Sequence, residues 1–262
     1  MNITQTKLKH KLDYHYRAFD FSKLSPDPLE FPHRFNNYHD IESSAFIASI
    51  FAYGNVVQIN NSLNSIFELI GNEPYNFILN YNPKKDAKIF ENLKHRFYTG
   101  NDIASLFTVL NAVYTNFNSL KYFFLLYYFD KDSNIKNALS SFSKNLTEIA
   151  SKTGELSDGV KFMFPEPSKG SACKRMNLFL RWMVRKDELD FGLWREIATS
   201  KLIVPVDTHI AAICKELKLT KRKIVNWNMA EEITNNLKLF SSNDPVKYDF
   251  ALCHIGMRKQ KF

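Results

Sequence analysis

The chain contains few of the residues that interrupt regular structure. Its 262 residues include only 8 glycines and 9 prolines. Such a composition excludes collagen-like and low-complexity disordered chains, and it disfavours an all-β fold, which needs a turn after every short strand. We therefore predict an all-α protein, long enough for one large domain or for two lobes around a cleft.

Cysteine and histidine patterns are also sparse. Cys173, Cys214 and Cys253 do not follow a Cys-x-x-Cys spacing, so we expect three reduced thiols rather than a disulfide framework or a zinc or iron–sulfur site. None of the 7 histidines has a second one at the His-x-x-x-His spacing. The sequence therefore predicts no metal and no cofactor.

Long apolar runs are missing as well. The longest apolar and aromatic stretch covers residues 122–129, far short of the roughly 20 residues of a membrane-spanning helix. Residues 1–10 lack the apolar core of a secretion signal. We therefore predict a cytoplasmic protein with no membrane partner.

The spacing of apolar residues predicts helices along the whole chain. After a short helical start and a proline-punctuated loop, Asp40 is the expected N-cap of the next helix. Helices are expected near residues 40–53, 56–70, 84–94, 102–116, 118–129, 133–151, 171–186, 190–199, 208–217, 227–240 and 245–257. We divide them into two lobes, residues 1–160 and residues 161–262.

The net charge of +8 is concentrated in the second lobe. Residues 1–160 carry 16 Lys and Arg against 16 Asp and Glu, whereas residues 161–262 carry 19 against 11. The stretch from Lys169 to Lys186 is the densest and contains no acid. A basic region of this kind is typical of a phosphate-binding face, although a solvated helix face gives the same pattern.

The helix expected to open at Ser171 is amphipathic. Its apolar stripe consists of Ala172, Met176, Phe179, Leu180 and Met183. On the opposite face, where a surface helix meets solvent, lie Lys174, Leu178, Arg181 and Arg185. The preceding residues 169–171 form a glycine-containing turn, and such a turn before a helix N-terminus can bind a phosphate close to Lys174.

Asp207 is the second residue of interest. It precedes an apolar helical pattern and is the expected N-cap of that helix. Capping alone explains an aspartate here. The same capping holds a carboxylate ionised and fixed in direction, so that it can face a developing cation.

These segments resemble a known superfamily. Gly170-Ser-Ala-Cys-Lys174-Arg-Met, followed by Val204-Pro-Val-Asp207-Thr-His209, is similar to the helix-hairpin-helix DNA glycosylases, most of all to the archaeal-type 8-oxoguanine DNA glycosylases. The chain also resembles a bacterial family of otherwise unknown function, through residues 40–58, 171–190 and 244–256. The resemblance implies a two-lobed helix-hairpin-helix fold with an interlobe cleft.

It also implies a reaction. Lys174 would be the nucleophile and Asp207 its partner in a bifunctional DNA glycosylase and AP lyase of base excision repair, with 8-oxoguanine as the first candidate substrate. The usual Leu-Pro-Gly-Val-Gly hairpin is absent, and Gly170 is the only glycine there. The four-cysteine cluster of other branches is also absent, so the resemblance implies no iron–sulfur cofactor.

The remaining predicted site residues bind DNA. Damaged double-stranded DNA would be the partner of a monomer located at the nucleoid, and its target base would be flipped into a pocket. The resemblance assigns DNA contacts to Lys169, Gly170, Ser171, Arg175, Tyr53, Asn55 and Gln58, with Tyr53 as the wedge, and assigns the base pocket to Asp249 and Phe250. An ordinary Tyr-Gly helix end, a salt bridge and core packing also fit these positions.

Two other functions fit the same sequence. One is a helical nucleic-acid-binding protein without catalysis. The other is a monofunctional glycosylase for alkylated or deaminated bases, in which Asp207 activates water. His209, two residues after Asp207, is interpreted as a local hydrogen-bonding residue.

Overall fold

The computed structural model describes residues 3–152 and 154–257. Of these residues 65% are helical and 2% are in strands, which confirms the predicted all-α class. The described residues form thirteen α-helices: α1 Ile3–Ala18, α2 Tyr38–Phe51, α3 Val56–Leu69, α4 Pro74–Asn80, α5 Pro83–Asp86, α6 Gly100–Phe117, α7 Leu120–Leu125, α8 Lys136–Ser151, α9 Asp158–Met163, α10 Lys174–Val184, α11 Thr208–Glu216, α12 Trp227–Lys238 and α13 Asp249–Met257. The strands β1 Lys94–His95 and β2 Tyr98–Thr99 form an antiparallel hairpin. Within the described residues no helix is long and apolar enough to cross a membrane.

The first unit comprises Met1–Ser25, Ser133–Ile135 and Pro167–Phe262. It contains α1 and α10–α13, and its core includes the fully buried Trp182, Trp194 and Trp227. Helix α13 packs against both α11 and α1. Apolar burial of this kind is the main stabilising term.

The second unit comprises Pro26–Asp132 and Lys136–Glu166 and contains α2–α9 with the hairpin. Helix α2 lies in its core, since every residue from Ile41 to Phe51 is buried. Its one buried acid, Glu42, accepts hydrogen bonds from the hydroxyl of Tyr114 and from the backbone N–H of Leu120, both at 2.9 Å. The carboxylate therefore accepts a hydrogen bond from a backbone N–H group at the start of α7, which lies far away in the sequence.

The first 25 residues lie in a different unit from the one expected from the predicted division at residue 160. They belong to the first unit, together with the C-terminal part of the chain. Asp13 on α1 accepts a hydrogen bond of 2.9 Å from the hydroxyl of Tyr248, and Tyr16 donates one of 3.2 Å to Asp187. These contacts join residues more than 170 positions apart, so local patterns do not reveal them.

Several predicted helices have other bounds. Asn37, not Asp40, caps α2, and the Asp40 side chain instead accepts the backbone N–H of Tyr75. The helix expected at 84–94 is a single turn of α5 followed by a 3₁₀ turn and β1, and α4 and α9 were not predicted. The helix expected at 190–199 is wrong, because the backbone N–H groups of Phe191 and Trp194 bond back to carbonyls of α10.

Candidate active site

Lys174 is the first residue of α10. The predicted start at Ser171 is three residues too early, because Cys173, the N-cap, has the left-handed backbone conformation with a φ of 49°. The Ser171 hydroxyl accepts the backbone N–H of Cys173, and the Asn177 side chain donates to the carbonyl of Ala172. The backbone that carries Lys174 is thus held by two side chains.

Asp207 caps α11, as predicted. Its Oδ1 atom accepts the backbone N–H groups of His209 and Ile210 at 2.9 and 3.0 Å. Both of these hydrogen bonds use the same oxygen. The other oxygen, Oδ2, remains for a second partner.

That second partner is the amine of Lys174. The Nζ atom of Lys174 lies 3.7 Å from Oδ2 of Asp207, with 25% and 27% of the two side chains exposed. The lysine predicted as nucleophile and the aspartate predicted as its partner are thus neighbours. Each stands at the start of a helix, where the partial positive charge of the backbone favours an anion.

Asp249 lies close to this pair. It is the first residue of α13 and is 2% exposed. Burial raises the pKa of its carboxyl to about 6, Arg181 and Lys174 lower it, and Asp207 raises it. The charges of Lys174 and Asp207 therefore act on the ionisation of Asp249.

The two oxygens of Asp249 have different surroundings. Oδ2 accepts a hydrogen bond of 2.6 Å from Nη1 of Arg181. Oδ1 is buried and has no hydrogen-bond partner in the described part of the chain. A buried carboxylate oxygen without a partner costs free energy, so it calls for an explanation.

Arg181, on α10, belongs to a cluster of ion pairs. Its Nε and Nη2 atoms lie 3.3 and 3.2 Å from Oδ1 of Asp190, whose Oδ2 accepts from Nη1 of Arg185. Arg185 also pairs with Asp187 and Asp244. We call these six side chains the ion cluster: Arg181, Arg185, Asp187, Asp190, Asp244 and Asp249.

The ion cluster corrects the prediction for the polar face of α10. Arg181 and Arg185 are each 3% exposed, so these two residues of the face expected to meet solvent are buried. Arg175, predicted to contact DNA, is 5% exposed, which leaves little of it to meet a phosphate. Much of the basic charge in residues 169–186 is therefore paired inside the protein.

The loop before α10 lies mostly at the surface, as its predicted contact with DNA requires. Lys169 and Gly170 are exposed, and Ser171 is half-buried. Gly170 has a φ of 86°, which favours glycine, and its carbonyl accepts the backbone N–H of Trp227 at 3.1 Å. Because α10 begins only at Lys174, Gly170 lies outside the helix.

Phe250, the other predicted pocket residue, is 5% exposed. Its ring centroid lies 4.2 Å from that of His254, and the Arg181 guanidinium carbon lies 5.9 Å from the centre of the Phe250 ring. The ring therefore packs between residues of α13 and α10. His209 is exposed, and its backbone contacts the Asp207 cap.

The predicted wedge residues belong to the second unit. Asn55 caps α3 by accepting the backbone N–H groups of Val57 and Gln58, and Gln58 is exposed. The hydroxyl of Tyr53 donates to the carbonyl of His95 in β1 at 3.0 Å. Tyr53 is thus attached to the hairpin.

The comparison with known proteins identifies the family of this chain. A family model described as "Protein of unknown function (DUF2400)" matches residues 27–258. The chain belongs to this family. All three segments of the predicted bacterial resemblance, residues 40–58, 171–190 and 244–256, lie inside the DUF2400 match. No curated protein and no solved structure matches the chain.

Sequence reasoning missed two groups of residues. The first is the ion cluster, for which the sequence signal was the Asp187 and Asp190 pair shortly after Arg181 and Arg185. The second is a set of aromatic residues around the hairpin tip, including Phe97 and Phe162. In the described residues, no group of three or more His, Cys, Asp or Glu side chains is arranged to hold a metal ion.

Proposed function

We propose that this protein is a bifunctional DNA glycosylase and AP lyase of base excision repair, with a helix-hairpin-helix glycosylase fold, that excises an oxidised purine such as 8-oxoguanine. The observation that carries the proposal is the 3.7 Å separation between Nζ of Lys174 and Oδ2 of Asp207. An amine and a carboxylate at this distance can both approach one sugar carbon. The choice of DNA as substrate rests on the sequence resemblance, and the choice of reaction rests on the pair of Lys174 and Asp207.

The first step breaks the glycosidic bond. As the base leaves with the bonding electrons, positive charge develops at C1′ of the sugar, and the Asp207 carboxylate stabilises that charge. The deprotonated amine of Lys174 then bonds to C1′. The departing base takes up a proton.

The second step cleaves the strand. In the C1′–nitrogen adduct a proton moves from nitrogen to the ring oxygen O4′ while the C1′–O4′ bond breaks, which opens the sugar ring and gives an iminium ion. Loss of a proton from C2′ then expels the 3′ phosphate, and water finally releases Lys174. The iminium ion is the species that borohydride reduces to a stable crosslink.

Asp249 supports the choice of an oxidised purine. Guanine has an acceptor at N7, whereas oxidation at C8 places a proton on that nitrogen. The buried Oδ1 of Asp249, which has no hydrogen-bond partner among the described residues, suits an N–H donor better than an acceptor when the carboxylate is ionised. Phe250 would then pack beside the base.

Borohydride trapping tests the proposal. Wild-type protein should form a covalent product with a duplex containing 8-oxoguanine and with one containing a preformed abasic site, and Lys174→Gln should form neither. Lys144→Gln is the matched control, since Lys144 is an exposed helix lysine in a surface ion pair. If Lys174→Gln still crosslinks, or wild type never does, the lyase mechanism is wrong. Crosslinking to the abasic duplex alone would reject 8-oxoguanine as the substrate.

A further inference from the structure

The tip of the β1–β2 hairpin carries an exposed aromatic side chain. Phe97 is 64% exposed, and its neighbour Arg96 is exposed too. Phe162, on α9 of the same unit, is 41% exposed. Exposed phenylalanines are costly unless something covers them in use.

The three aromatic rings and the guanidinium form one surface. The rings of Tyr53 and Phe97 are nearly parallel, at 9° and 6.4 Å between centroids. Phe162 meets Tyr53 and Phe97 edge-on at 5.1 and 5.9 Å. The guanidinium carbon of Arg96 lies 5.6 Å from the ring centres of both Tyr53 and Phe97. We call these four residues the hairpin platform.

The backbone around the hairpin platform is adapted to hold Arg96 there. Arg96 has a φ of 53°, a left-handed conformation that glycine adopts more easily than arginine. Gly54 has a φ of 100°, and a Cβ atom there would lie 2.7 Å from Nη1 of Arg96. The chain thus accepts backbone strain at Arg96 and lacks a side chain at Gly54, and both place the guanidinium beside the rings.

Charge identifies the occupant. Residues 94–99 include Lys94 and Arg96, both exposed, and no Asp or Glu. Flat rings interleaved with cations are what proteins use to hold unpaired bases, because the base stacks on a ring while the cation meets its phosphate. Purely apolar partners would leave the guanidinium without a counter-charge.

We propose that the hairpin platform binds one or two unpaired nucleobases of single-stranded or locally opened DNA, with Phe97 as the stacking side chain and Arg96 as the phosphate contact. Tyr53 then supports Phe97 from behind, since its hydroxyl is bonded to the carbonyl of His95. This assignment deepens the proposed repair function and rests on it for the choice of DNA. Its test uses no damaged base and no lysine chemistry, so the two can fail separately.

The experiment measures binding of a fluorescently labelled oligothymidylate to the full chain by anisotropy. Phe97→Ala should weaken binding about tenfold, because the loss of one base stacked on an aromatic ring lowers the affinity by about that factor. Phe97→Trp should restore binding, whereas Phe97→Leu should not. The matched control is Phe129→Ala, since Phe129 is 55% exposed beside Lys131 but belongs to no ring cluster in the described residues.

Arg96→Gly provides a second, independent readout. Glycine removes the backbone strain, so thermal stability should be kept, while the slope of log K against log salt concentration should become shallower by about 0.7. Equal affinities of wild type, Phe97→Ala and Phe129→Ala would overturn the assignment. So would a wild-type dimer that Phe97→Ala converts to monomer, since a second copy would then occupy the platform. If wild type is still trapped through Lys174 while Phe97→Ala binds oligothymidylate as well as wild type does, only the role of the hairpin platform is rejected.

Discussion

The Nη1 atom of Arg181 lies 2.6 Å from Oδ2 of Asp249, and both side chains are almost completely buried. In the ion cluster, two arginines face four aspartates. The aspartates of the cluster thus outnumber its arginines, and Asp190 and Asp249 are almost completely buried. Protonation of Asp249, whose pKa is raised to about 6 by burial, relieves part of that excess.

The stability of the protein should therefore depend on pH through Asp249. The pKa of this carboxyl is 3.8 without perturbation and about 6 in the folded protein. Between these values the folded state holds a proton that the unfolded chain has released, so the free energy of unfolding falls as pH rises. The slope from this one group is at most about 1.4 kcal/mol per pH unit.

Asp249→Asn removes that titration. We expect its free energy of unfolding, measured by urea denaturation at several pH values, to fall less steeply than that of wild type between pH 4 and pH 6. Asp158→Asn is the control, because the Asp158 side chain is fully exposed in the folded protein. Parallel wild-type and Asp249→Asn curves would show that Asp249 does not titrate in this window.

Asp190 should matter most for stability. It pairs with both Arg181 and Arg185, and its side chain has no exposed surface. Asp190→Asn leaves two buried guanidinium groups short of a counter-charge, which should cost about 3–5 kcal/mol in the free energy of unfolding.

The matched comparison is a surface pair of the same unit. Arg222 and Glu232 lie 2.7 Å apart with 48% and 31% of their side chains exposed. Arg222→Gln should cost less than about 1 kcal/mol in the same urea experiment. If the two variants lose equal stability, the buried cluster is no more important than an ordinary surface ion pair.

Local sequence patterns predict part of the site. The capping role of Asp207 follows from the helical pattern directly after it, because a cap is a local feature. The pairing of Arg181 with Asp249 joins residues 68 positions apart. The spacing of apolar residues does not contain that information. It therefore predicts α10 as a surface helix, although Arg181 and Arg185 are buried.

The second unit shows the same limit. The helix expected at 56–70 follows from the spacing of apolar residues, and it is present as α3, Val56–Leu69. The aromatic contacts of Tyr53 with Phe162 depend on where α9 packs, and α9 is a short helix that the spacing of apolar residues does not reveal. Tertiary packing, rather than propensity, determines these positions.

The two roles of Asp207 can be separated by substitution. Asn is as good an N-cap as Asp, so Asp207→Asn should change the free energy of unfolding by less than about 0.5 kcal/mol, whereas Asp207→Ala should lose about 1 kcal/mol. Both variants lack the carboxylate that faces Lys174. Both should therefore slow borohydride-trapped product formation with lesion-containing duplex by about 100-fold.

Single-turnover trapping and urea denaturation of both variants provide the measurement. If Asp207→Asn is as stable as wild type but forms the trapped product slowly, the carboxylate charge acts in the reaction and the hydrogen bonds of residue 207 stabilise the helix. An Asp207→Asn protein with the wild-type rate would mean that capping is the only role of this residue.

Lys169 should contribute affinity for DNA without sequence preference. Its side chain is exposed directly before Gly170, whereas Arg175, Arg181 and Arg185 are buried. Each neutralised phosphate of duplex DNA adds about 0.9 to the magnitude of the slope of log K against log salt concentration. Lys169→Gln should make that slope shallower by about this amount on undamaged duplexes of any sequence. The exposed Lys144 again supplies the control, and an Lys169→Gln slope equal to that of Lys144→Gln would place the phosphate contacts elsewhere on the protein.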